Sequence, residues 1–130
     1  MTLRLDTAPI QDIGAAPRGT RLTFPITGGS FTGERLRGRV LPGGDDWAIK
    51  RSDGVIELDL RVTLETDDGA LIHMTFEGMR DDQAPGAPYF RTAPRFETAD
   101  VRYVFLNRLL AIGVGEIHAE GPIHRIEELL

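Results

Sequence analysis

With 130 residues and a mass of 14.3 kDa, the chain is one domain's worth of protein, since domains cluster at about 100–150 residues. Its 41% hydrophobic and 27% charged residues exclude intrinsic disorder, and its net charge of −5 argues against nucleic acid or an anionic membrane as a partner. With no Cys there are no disulfides, no thiolate metal sites and no Cys nucleophile.

The opening residues Met1 to Asp6 lack a charged start followed by an apolar core, so a cytoplasmic location is expected. No apolar run approaches the ~18–20 residues that cross a bilayer. Gly and Pro punctuate the chain about every ten residues, and the segments between them alternate with period two. That spacing predicts a single all-β domain over 1–130.

In chain order, the first element is a short strand over Leu3–Thr7, followed by one over Arg21–Thr27. Gly28 to Gly33 is Gly-rich but has neither the spacing nor the Lys of a phosphate loop, and reads as a tight turn. A strand over Glu34–Leu41 follows. Pro42-Gly43-Gly44 then delivers Asp45 and Asp46 beside the only Trp, Trp47, at the head of a strand to Arg51. An Asp packed on an indole can be raised in pKa and serve as acid or base. The plainer reading makes Trp47 a core anchor and Asp46 a turn cap.

Val55–Thr66 is the clearest strand. Ile56, Leu58, Leu60, Val62 and Leu64 form one row, and Glu57, Asp59, Arg61, Thr63 and Glu65 the other. The polar row either faces solvent or lines a ligand-holding barrel, and alternation alone does not choose. Ala70–Glu77 completes a hairpin. A three-residue loop, Asp67-Asp68-Gly69, keeps both faces pure by pairing Leu64 with Ile72, Val62 with Met74 and Leu60 with Phe76. It also sets Asp59 opposite Glu77, a like-charged pair that needs Arg61 nearby.

Gly78–Pro88 reads as an exposed, mobile loop, and Tyr89–Glu97 as a strand with Phe90 and Phe96 in the core. Arg91 and Glu97 share the other face unless a bulge at Pro94 resets the parity. Val101–Leu110 suits a short helical turn, although its Val, Tyr and Phe also suit a strand, and it carries Tyr103 and Asn107, both of them polar handles for a pocket. Strands over Leu109–Ile117 and Ile123–Glu127 end the chain. Pro25, Pro42 and Pro94 are expected at strand ends, edges or bulges. His73, His118 and His124 fit no zinc motif and read as ordinary surface. Neither Ser30 nor Ser52 sits in a nucleophile elbow, and no dinucleotide fingerprint occurs, so no metal or cofactor is expected.

Several segments together resemble the DUF3237 (UPF0311) family: Pro25-Ile26-Thr27-Gly28-Gly29, Gly33 to Gly38, Leu41 to Gly44 with Asp46-Trp47, and Asp53-Gly54. The match continues through Leu64 to Ala70, Tyr89-Phe90-Arg91, Pro94 to Glu97, and Tyr103 with Leu106-Asn107-Arg108. It covers nearly the whole chain, which departs in a short Gly78–Pro88 loop and in Asp45 and Phe105. The resemblance implies a small antiparallel β-barrel of about eight to nine strands, lipocalin-like or allene-oxide-cyclase-like, with no established biochemistry. It also implies that Asp46, Arg61, Arg91, Glu97 and Asn107 face a lumen.

The resulting expectation is a cofactor-independent isomerase, cyclase or lyase acting on a small oxygenated organic molecule. Asp46 and Glu97 would serve as acid and base, Arg61 and Arg91 would hold a carboxylate or carbonyl, and Trp47, Tyr103 and Asn107 would orient the ligand. The alternatives are a binding barrel without chemistry and a structural or oligomerisation protein. A lumen smaller than about 300 Å3 would favour the last. A homodimer is expected under all three.

Overall fold

A computed structural model describes residues 1–130. The chain forms ten strands: β1 (Thr2–Thr7), β2 (Gln11–Ala16), β3 (Gly19–Thr32), β4 (Arg37–Val40), β5 (Gly44–Lys50), β6 (Ile56–Thr66), β7 (Leu71–Asp81), β8 (Tyr89–Glu97), β9 (Ala111–His118) and β10 (Gly121–Glu128). The one helical element is a 3-10 turn over Val104–Arg108, which decides a segment whose sequence suited either a helical turn or a strand.

All pairings are antiparallel, and the sheet closes on itself. β6 to β10 follow as successive neighbours, β10 returns to β1, and β1 pairs with β3. The long β3 makes closure work. Its first half pairs with β2 and β5, and its second half with β1 and β4. β4 and β5 both pair with β6 and act as one interrupted strand, while β2 continues β1 along β3. The result is an eight-stranded barrel with two extra strands, as the sequence implied. Closure removes the exposed edges an open sheet would present.

The hairpin of β6 and β7 has the expected register, including Leu64 opposite Ile72 and Leu60 opposite Phe76. Gly69 has φ +91°, the left-handed conformation its loop requires. The whole row Ile56 to Leu64 is buried, with Leu3, Phe31, Ile72, Met74 and Phe76 packed around it. Each such side chain, fully buried, stabilises by about 1.5–3 kcal/mol.

Several expectations fail for identifiable reasons. Gly28 and Gly29 do not turn, because β3 runs through them to Thr32. A Cβ on Gly29 would lie 2.0 Å from the Arg4 carbonyl oxygen, so glycine is there to let β1 approach. Residues 34–36 are not strand. β2 was not expected at all. β7 runs on to Asp81, which shortens the exposed loop to residues 82–88. Pro25 and Pro94 lie inside strands, yet each sits where one flank is unpaired. Pro25 falls between the β2 and β1 pairings, where only its carbonyl is used, accepting from the Ala8 N–H at 3.0 Å, and Pro94 lies beyond the point where β8 leaves β9.

Candidate functional site

The two ends of the barrel differ. At the end holding the β6–β7 loop, the 3-10 turn packs across the opening and buries Leu106. At the other end the lumen opens into a cavity of about 290 Å3. Leu58, Leu60, Phe76 and Phe90 supply much of its wall, with Thr7, Asp46, Arg80, His118 and His124 as polar groups.

Asp46 reaches the lumen because β5 inverts the usual pattern. Asp46 and Ala48 point inward, while Trp47 points out. Asp46 lies between Phe24 of β3 and Leu60 of β6 and is only 7% exposed. Its Oδ1 accepts a hydrogen bond from the Asp59 backbone N–H at 2.9 Å. Burial pushes its carboxyl up to about 6; the Asp59 N–H opposes that rise and the Asp59 charge adds to it.

His124 lies on β10 opposite Gly115 and Leu3 and is only 1% exposed. Its ring is tilted against Phe76 at 5.1 Å and meets Phe90 edge-on at 5.0 Å. Burial among these rings pushes its pKa down to about 4, so the imidazole is neutral at pH 7. Its Nδ1 is buried without a hydrogen-bond partner. The inner face of β9 explains how so many rings fit. A Cβ on Gly115 would lie 2.6 Å from the Phe90 ring, so only glycine leaves the space. Arg80 closes the inward row of β7 at the mouth. Its Nε and Nη2 donate to the two carboxylate oxygens of Asp82 at 2.7 and 2.8 Å, and its guanidinium lies 5.9 Å from the Phe90 centroid.

The residues singled out in the sequence do not converge on this cavity; Asp46 alone lines it. Trp47 is 39% exposed on the outer wall, so it neither anchors the core nor desolvates Asp46. Arg61 is also outside, with its guanidinium 5.7 Å from the Trp47 ring and 3.9 Å from Asp59. The polar row of β6 therefore faces outward, and the lumen placement implied for Arg61 is wrong. No bulge at Pro94 resets β8, so Arg91 and Glu97 are outside too. Arg91 stacks 4.4 Å from the Tyr89 ring, and Glu97 is exposed opposite His73.

Tyr103 and Asn107 sit at the closed end and do structural work there. Asn107 caps the end of β8, accepting from the Thr98 N–H and donating to the Thr98 carbonyl, both at 2.8 Å. The Tyr103 hydroxyl donates to Asp68 at 2.9 Å and ties the 3-10 segment to the β6–β7 loop. Hydrogen bonds from Thr66 and Tyr103 hold the Asp68 carboxyl below the usual carboxylate range.

Arg80 and His124 were missed. His124 shares strand parity with the buried Ile126, a signal that was available within Ile123–Glu127. Arg80 had none, since its segment read as loop.

The comparisons with known proteins match this architecture. The family model described as "Protein of unknown function (DUF3237)" matches residues 1–129. A UPF0311 protein of Rhodopseudomonas palustris strain TIE-1 is 36% identical over 95% of this chain and 92% of its own length. Among solved structures, a beta-barrel like protein from Acinetobacter baumannii AYE superposes with TM-score 0.92 at 35% identity, over 99% of this chain and 92% of that one. An enzyme from Penicillium herquei superposes with TM-score 0.76 at 25% identity, over 97% of this chain and 90% of that one.

Proposed function

This chain belongs to the DUF3237 family, and we propose that it is a cofactor-independent enzyme that moves protons on a small oxygenated organic molecule held at the open end of its barrel. One observation carries this reading: Asp46, a carboxyl pushed up to about 6, lines a mostly apolar cavity together with the neutral imidazole of His124. A group with pKa near the working pH gives and takes protons most effectively.

Asp46 is the general acid or base. His124 donates to or accepts from the ligand without carrying charge. Arg80, with Nε and Nη2 tied to Asp82, offers its remaining Nη1 to a carbonyl or carboxylate oxygen, the role the sequence suggested for Arg61 and Arg91. The reaction class is isomerisation, cyclisation, dehydration or lyase cleavage. A cavity of about 290 Å3, open at one end, suits a small substrate. That volume lies at the limit that separates a ligand site from a filled interior, and the buried polar groups favour the ligand site. The description of the Penicillium herquei relative as an enzyme favours catalysis over binding alone.

The test is a library of small oxygenated metabolites, followed by thermal shift for binding and by NMR for conversion. Wild type is expected to convert at least one compound. Asp46→Asn should still bind it and turn it over roughly a hundred- to ten-thousand-fold more slowly, while Glu97→Gln should match wild type. Undiminished turnover in Asp46→Asn overturns the assignment. Stabilisation without conversion by any compound would establish a binding barrel instead.

A further inference from the structure

Outside the lumen, the wall formed by β5, β6, β7 and β8 carries an open groove of about 730 Å3. Trp47, Ile49, Met79 and Ile112 give it an apolar part, and Trp47, Met79 and Ile112 are each substantially exposed. Interfaces are enriched in Trp, Tyr, Met and Arg, and all four types occur in this groove. Its charges balance, with three arginines (18, 21, 91) against three carboxylates (57, 59, 77). A foreign polyanion or polycation gains nothing from such a surface. A second copy of the same surface does, because an isologous interface must supply both halves of each pair from one patch.

The register adds a specific complementarity. Across the sheet, Ile49 lies opposite Glu57, Glu57 opposite Met79, and Met79 opposite Arg91. Glu57 and Arg91 thus flank Met79 on its two sides. Arg91 makes no ion pair within the chain; it stacks on Tyr89 and donates from Nη1 to the Phe90 carbonyl at 3.0 Å, which leaves its other N–H groups free of carboxylates. Glu57 is engaged only at 3.4 Å by Arg51, whose closer partner is Asp53 at 2.6 Å.

We propose that this face is the interface of a homodimer, with a two-fold axis running along β7 past Met79. That axis sets Glu57 of each copy over Arg91 of the other, and Met79 packs against its own counterpart. Trp47 is exposed in the single chain because the second copy covers its wall.

Light scattering and sedimentation on the full chain test this. Wild type should have twice the 14.3 kDa chain mass. The single reversals E57R and R91E each place like charges across the axis and should weaken self-association about tenfold or more, while the double variant E57R/R91E restores it. All three substitutions lie on the outer wall, and circular dichroism would verify that each variant folds. A monomer at the highest soluble concentration overturns the proposal. So does a dimer indifferent to both single reversals, or one that the double variant fails to restore.

Discussion

Asp46 and His124 titrate in opposite senses within one lumen, and this makes their environment measurable. The folded-state pKa of Asp46, about 6, lies above its ordinary 3.8. Its contribution to stability is therefore complete below pH 4 and is lost as pH rises through 6. The folded-state pKa of His124, about 4, lies below its ordinary 6.5. Its contribution is complete above pH 6.5 and is lost as pH falls through 4. The two slopes offset each other between pH 4 and 6. Asp46→Asn removes the first slope, so relative to wild type it should gain up to about 3 kcal/mol between pH 4 and 6, at roughly 1.4 kcal/mol per unit, and stay level above that. His124→Gln should gain a similar amount relative to wild type as pH falls from 7 to 4. Denaturant midpoints across this range check both, and curves parallel to wild type would show that neither group is desolvated as described. Asp46 was legible in the sequence as an unusual acid, but its orientation was not. Hydrophobicity alone would turn Trp47 and Ile49 inward, and β5 does the reverse. Such local conflicts concentrate at functional sites.

At the scale of elements, the register of the β6–β7 hairpin was readable, because a one-residue slip would expose its whole apolar row, but its length was not, since β7 runs on to Asp81. β9 was less so, since its inner face is built from Gly113 and Gly115 and carries almost no side-chain signal. Gly115 makes room for Phe90 and, through it, for the His124 ring, while Gly113 makes room for Thr92. Gly115→Ala should therefore destabilise by about 1–3 kcal/mol through overpacking, read by thermal denaturation. Because the displaced Phe90 ring moves into the cavity, the variant should also lose ligand binding. A fully stable variant would mean the ring yields without cost. At the closed end, Tyr103→Phe removes one of the ties between the 3-10 segment and Asp68, leaving the Arg102–Asp68 ion pair at 3.1 Å. Its Tm should fall and amide exchange should rise around residues 104–108, with the open-end cavity unaffected. Faster exchange at the open end instead would mean the two ends are coupled.

For the whole molecule, closure rests on β1. It is six residues long and holds β10 on one side and β3 on the other. Deleting residues 1–7 would bare two long strand edges, which are templates for intermolecular pairing. The truncated chain should form aggregates on size exclusion, with native near-ultraviolet ellipticity lost. A soluble, cooperatively folding truncation would show that β10 and β3 can pair directly. In sequence β1 is a short alternation whose partners lie far along the chain, whereas β2 forms a tight hairpin with β3 across Pro17-Arg18 and gave no signal because it buries neither face.

The sequence by itself determined the all-β class, the hairpin register, the two faces of β6 and the family resemblance. These follow from local rules: period-two alternation, turn chemistry and one-dimensional spacing. Which face became the lumen was decided only when the sheet closed. Closure turned the apolar row of β6 inward, left Arg61, Arg91 and Glu97 outside, and carried Asp46 of β5 and His124 of β10 into one cavity although 78 positions separate them. No local pattern encodes that meeting, because it depends on the order in which distant strands pair around the barrel.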